Sequence, residues 1–134
     1  TMYDYVLVDF GRTLSRISLP VIEMSDRVVL IVSPDTSAVK AAKLMLDYFA
    51  SRDVPMDRFF LINNRTVGRV WTTTEDIARE LKVKVGAMVP YVSEYMTMAI
   101  NAAVPFIVKF PDHTASDMFR QISQTLADRI KQKN

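Results

Sequence analysis

The chain has 134 residues, 49% of them hydrophobic, and a formal net charge of +2, which suits one packed domain and excludes a disordered segment. It has no cysteine, which excludes a disulfide framework and thiolate chemistry and fits a reducing compartment. No apolar stretch is long enough to span a bilayer, and the N-terminus lacks a basic-then-apolar signal pattern.

Apolar runs alternate with helical patterns along the chain, as in βαβ units around a parallel sheet. Tyr5 to Asp9 is an unbroken apolar run ending in a carboxylate, and it predicts a first strand buried on both faces. Thr13 to Met24 carries Leu14, Ile17, Val21 and Ile22 at helix-like spacing, with a kink or a split expected at Pro20. Arg27 to Ser33 is β-branched and free of charge after its first residue, and predicts the second strand. The turn Pro34, Asp35, Thr36 and Ser37 offers capping side chains to a helix over Ala38 to Ser51. Its apolar stripe is expected to be Ala41, Leu44, Met45, Tyr48 and Phe49.

Phe59 to Asn63 predicts the third strand, closed by Asn63-Asn64-Arg65. A polar connection with Gly68 and Trp71 leads to Thr72-Thr73-Thr74-Glu75, an N-terminal cap for a helix over Asp76 to Leu81. Val83 to Val89 is the fourth strand, ended by Pro90. A helix follows from Ser93 to about Ala103, then an extended Pro105 to Phe110, then a last helix over Thr114 to Lys131. Phe119, Ile122, Leu126 and Ile130 form the inward stripe of that last helix. The order predicts an α/β fold, a three-layer α/β/α arrangement with a mostly parallel sheet and right-handed crossovers.

Four candidate positions fall at strand ends: Asp9, Ser33-Pro34-Asp35, Asn63-Asn64-Arg65 and Val89-Pro90. In an open parallel sheet such ends line one edge, where ligands bind. Asp9 could hold the water shell of a nucleotide-bound Mg²⁺, or could simply end a strand and cap the next helix.

Read together, these segments resemble the C-terminal half of a MinD/ParA-type deviant P-loop ATPase, most of all the CpaE or TadZ pilus-assembly branch. Tyr3-Asp4-Tyr5-Val6-Leu7-Val8-Asp9 resembles the family's Walker-B strand, and Ser25 to Leu46 the strand and helix that follow. Leu61-Ile62-Asn63-Asn64-Arg65, Asp76 to Tyr91 and, loosely, Ala99 to Pro105 continue the match over nearly the whole chain. The resemblance implies a P-loop NTPase-like domain lacking its phosphate-loop portion, with residues 1–134 forming a single C-terminal part. It implies ATP and Mg²⁺ as cofactors of the parent protein, with Asp9 the metal-side carboxylate and Gly11 a flexible switch after it. Asn64 and Arg65 would lie at the adenine, with the Asn64 amide reading the base edge, and Pro90 and Tyr91 would pack over it. An amide suits base reading because it offers a donor and an acceptor together. Asn64 could equally be an Asx-turn or left-handed residue after its strand.

Two departures stand out. The glycine-rich phosphate loop is absent, since the chain has only Gly11, Gly68 and Gly86, all far apart. After Asp9, where the family has Pro-Pro-Gly, the chain reads Phe10-Gly11-Arg12. The expectation is therefore a chain that does not hydrolyse ATP or bind it tightly on its own.

The expected partners are a second copy, the missing N-terminal half, or pilus and positioning machinery. The place implied is the cytoplasm, with peripheral attachment to the inner membrane through partners. A non-catalytic adaptor with the same fold is the alternative. A response-regulator receiver fits less well: it needs an acidic pair and an acceptor aspartate where this chain has a lone Asp9 and Asn63-Asn64. His113 is the single histidine and has no metal-ligand spacing around it. The cationic cluster Arg129, Lys131 and Lys133 reads as a solvated helix end, with no strong signal for nucleic acid or membrane.

Overall fold

A computed structural model describes residues 2–11, 15–65 and 72–131. Three parallel strands, β1 (Val28–Val32), β2 (Phe59–Asn64) and β3 (Val85–Val89), form a sheet in the order β1-β2-β3. The helices are α1 (Ser18–Met24), α2 (Thr36–Ala50), α3 (Thr74–Leu81), α4 (Ser93–Asn101), α5 (Phe106–Lys109) and α6 (Thr114–Lys131). The result is the expected three-layer α/β/α arrangement with a parallel sheet.

β2 is the centre of the sheet, and its first five residues are buried. Side chains alternate along a strand, so Phe59 and Leu61 face one layer and Phe60 and Ile62 the other. Phe59 and Leu61 join Ile22, Val32, Val39, Leu46, Phe49, Ile77 and Leu81 in the main core, between the sheet and α1, α2 and α3. On the opposite face the Arg129 guanidinium of α6 lies 4.9 Å from the centre of the Phe60 ring. Arg27, just before β1, donates to the Arg129 carbonyl at 2.8 Å and fastens the end of α6 to the sheet. A smaller cluster of Ala99, Phe106 and Ala115 joins α4, α5 and α6.

Two helices begin on the caps that the sequence supplies. The Asp35 carboxylate accepts from the Ala38 N–H at 2.9 Å and opens α2. Thr73 and Asp76 form a reciprocal capping box at the start of α3. Both carboxyls are held below the usual carboxylate range, Asp35 chiefly by the Ser37 hydroxyl and Asp76 chiefly by the Thr73 hydroxyl. A carboxyl depressed in the folded state stabilises the fold above its unfolded pKa, about 3.9 for Asp, and that contribution fades as pH falls through the folded value. Thermal melts below about pH 4 should therefore fall less steeply for Asp76→Asn, which keeps a capping oxygen but carries no charge. Equal acid sensitivity in the variant and the parent would remove Asp76 from the acid response.

Four expectations need correction. Tyr5–Asp9 is not a strand: it pairs with no strand among the described residues, and Val6 and Leu7 are 76% and 92% exposed. Its composition suits a central strand, but a strand exists only with a neighbour to complete its ladder. Pro105–Phe110 is not extended either, because Phe106–Lys109 forms the short helix α5 with Pro105 as its N-cap. The proline's fixed φ suits a helix start better than the β-branched run after it suits a strand. α2 is rotated from its expected stripe: Val39, Ala42, Leu46 and Phe49 are buried, whereas Ala41, Leu44 and Tyr48 face out. Pro20 falls in the first turn of α1, where it is tolerated, so no kink is needed. The first part of the predicted Thr13–Met24 helix, and Gly68 and Trp71, lie outside the described residues.

Candidate functional site

The C-terminal ends of the strands meet at one edge of the sheet. Val32 of β1 is in register with Asn63 of β2, and Asn64 with Val89 of β3. Beyond the ladder the Arg65 N–H donates to the Val89 carbonyl at 3.0 Å, carrying the pairing one step further. Asn64, Arg65 and Pro90 are therefore neighbours, all half-buried, and Tyr91 follows with 48% of its surface exposed. Four of the six expected binding residues stand together.

Ser33-Pro34-Asp35 has a structural task instead. The Asp35 N–H donates to the Ser33 carbonyl at 2.8 Å while its side chain caps α2, so this turn serves the start of the helix.

Asn63, one of the candidate strand-end residues, has a structural task that the sequence reading does not assign to it. Strand alternation turns it to the opposite face from Asn64, and it is only 3% exposed. Its amide Nδ2 donates to the Thr74 Oγ1 at 3.0 Å, tying the end of β2 to the first turn of α3. Its Oδ1 is buried without a hydrogen-bond partner among the described residues. Counting from the buried Phe59 and Leu61 in steps of two would have singled it out. Two adjacent amides thus divide the work: Asn63 braces the loop end, and Asn64 presents its side chain on the other face.

Asp9 and Gly11 belong to the unpaired N-terminal segment. The Gly11 N–H donates to Asp9 Oδ1 at 2.8 Å, and Gly11 has φ +63°, so the pair closes a tight turn. Both residues are exposed. One carboxylate oxygen is occupied by the turn. No group of three or more acidic or histidine ligands exists among the described residues. The donor set fits a single-carboxylate, water-mediated contact to Mg²⁺ and does not fit a metal held by protein alone. Of the two amides only that of Asn64 lies off the buried face, and a side-chain amide offers a donor and an acceptor together.

With this architecture the chain has a MinD/ParA-type α/β fold. It is similar to the structure of a ParA family ATPase from Chlorobium tepidum TLS, with a TM-score of 0.78 and 20% identity over 99% of this chain. It is also similar to a MinC:MinD cell division protein complex from Aquifex aeolicus, with a TM-score of 0.64 and 19% identity over 89% of this chain. The chain spans 52% of the first neighbour and 47% of the second, about half of each. No family model and no curated protein matches the sequence. No described helix is long and apolar enough to cross a membrane.

Proposed function

We propose that these residues are the C-terminal, base-reading part of a nucleotide-switch ATPase domain of the MinD/ParA kind. In this reading the parent protein localises a cell-surface machine of the pilus type, or another cargo. The observation that carries the proposal is the amide-bearing end of β2, held against Val89 and Pro90 on a ParA/MinD-type sheet. In this reading Asn64 and Arg65 lie along the adenine, Pro90 and Tyr91 flank it, and Asp9 holds a water of the Mg²⁺ shell. ATP and Mg²⁺ supply the phosphate charge whose presence or loss is the switch. The protein works in the cytoplasm as a homodimer or with the polypeptide that completes its fold, reaching the inner membrane through partners.

The test compares Mg-ATP and Mg-GTP binding by the longest natural polypeptide containing these residues. Asn64→Ala should mainly relax the preference for ATP, by about 1–3 kcal/mol, because a base-reading pair is left unmatched. Asp9→Ala should instead lower turnover and the metal dependence of binding. The isolated 134 residues should bind Mg-ATP weakly in calorimetry, since phosphates are gripped mostly by backbone amides, lysine and the metal. Micromolar binding by the isolated chain would contradict this division of labour.

A second reading has its own support. The exposed, unpaired position of Asp9 suits an adaptor that keeps the fold and has lost turnover. Unchanged nucleotide affinity and base preference in both variants would favour the adaptor.

A further inference from the structure

α4 carries two apolar stripes, and the described fold buries only one of them. Val92, Met96 and Ala99 pack with Phe106 and Ala115 in the smaller core. Tyr95, Met98 and Ala102 recur one turn apart on an adjacent stripe, within about 60° of one another around the helix. Tyr95 and Met98 are 45% and 53% exposed, and Ala102 is exposed as well. Tyr95 is nevertheless fixed, its ring 5.2 Å from that of Phe110 and 4.7 Å from that of His113. A held tyrosine with half its surface showing is a ready anchor for an interface, because little side-chain freedom is left to lose.

The stripe lies in nearly uncharged sequence. From Val85 to Val108 the chain has a single charged residue, Glu94. The centres of interfaces are depleted of charge and enriched in Tyr and Met, which is the composition found here. The Thr97 hydroxyl turns back to the Ser93 carbonyl at 2.9 Å. The Glu94 carboxylate and the Asn101 amide, both exposed, make no hydrogen bond or ion pair among the described residues. Two turns apart, they fall within about 20° of each other on the polar side of the stripe.

We propose that a second copy of this chain docks here, α4 against α4, antiparallel about a two-fold axis at Met98. Met98 then meets its own counterpart, and one turn away the large Tyr95 meets the small Ala102, on both sides of the axis. The same register sets Glu94 of one copy beside Asn101 of the other. The one charge on α4 thereby accepts from an amide and never faces a second carboxylate. A parallel arrangement would oppose Tyr95 to Tyr95 and Glu94 to Glu94. This self-complementarity in size and charge singles out a second copy over an unrelated protein. A helix of nine residues offers less than the roughly 1,000 Å² of a tight interface, so the dimer is weak, with Kd on the order of 10–100 μM. The contact goes beyond the nucleotide reading, since it uses none of the residues assigned to the base and needs no ATP.

The chain has no cysteine, so single cysteines report the contact cleanly. On mild oxidation Met98→Cys should give a disulfide-linked dimer about 10-fold faster than Ile100→Cys, which is 69% exposed on the opposite side of α4. Sedimentation of the 134-residue chain without nucleotide should show a monomer–dimer equilibrium near 100 μM, roughly the expected Kd range. Met98→Glu should raise that Kd at least about 10-fold and leave the melting temperature of the monomer unchanged. Ala102→Tyr, which sets tyrosine against tyrosine, should weaken the dimer in the same way. A chain still monomeric at about 1 mM would overturn the proposal. So would equal cross-linking of the two cysteine variants, or a dimer indifferent to Met98→Glu. Dimerisation seen only when the longest natural polypeptide holds Mg-ATP would overturn it too. A nucleotide-free dimer of a polypeptide that binds no Mg-ATP would uphold this contact and remove the nucleotide reading.

Discussion

Phe49→Ala is expected to lower the unfolding free energy by about 3–5 kcal/mol. Phe49 is fully buried at the end of α2, its ring 5.3 Å from that of Tyr48 and 5.7 Å from that of Phe59. Its carbonyl also accepts from the N–H groups of Arg52 and Val54, both at 3.1 Å, so the turn leaving the helix rests on the same residue. Alanine would open a cavity between helix and sheet that rigid neighbours cannot fill. Domains of this size have about 5–15 kcal/mol in all, so the loss is a large share of the total. Urea unfolding would show a lower midpoint with an unchanged slope. A shift below about 1 kcal/mol would mean that α2 repacks onto the sheet more freely than the close ring contacts imply.

Gly86→Val should be comparably damaging, about 3 kcal/mol, for the opposite reason. A Cβ at Gly86 would lie 2.4 Å from Phe60 Cε2 and 2.8 Å from two further ring atoms. The ring has no room to retreat, because Phe60 is 1% exposed and lies beneath the Arg129 guanidinium. The glycine is thus explained by a close approach across the two strands and not by an unusual backbone angle. Pairing Gly86→Val with Phe60→Leu should recover part of the loss, and a double-mutant cycle would show that coupling. Strictly additive effects would show that the two positions do not share the space.

Most of the fold could be read locally. The charge-free runs at Val28–Val32 and Phe59–Asn64 and the caps at Asp35 and Thr73 carry their structure within a few residues. Tyr5–Asp9 was misread because strand composition describes what a segment can do, whereas pairing depends on a partner elsewhere. Phe106–Lys109 was misread because β-branched residues outweighed the helix-starting Pro105. The stripe of α2 was misplaced by weighting large side chains such as Leu44 and Tyr48, although smaller Val39 and Ala42 fit the close approach to the sheet.

The candidate site divided in the same way. Asn64, Arg65, Pro90 and Tyr91 follow directly from which strands end where, and they came together. The roles of Asn63 and Asn64 depend on strand parity, which their shared residue type conceals. Asp9 depends on the unpaired segment and did not join a strand end.

The order of the strands also bears on how the sheet assembles. β1, β2 and β3 lie side by side in the order in which the chain presents them, with α2 bridging the first pair and α3 the second. Each pairing closes a single crossover, and no later segment must thread between strands already joined. The entropy lost in closing a loop rises only slowly with its length, so each of the two successive closures costs about the same. The three strands can therefore pair in order of synthesis, with α6 arriving last to lay Arg129 over Phe60 on the second face.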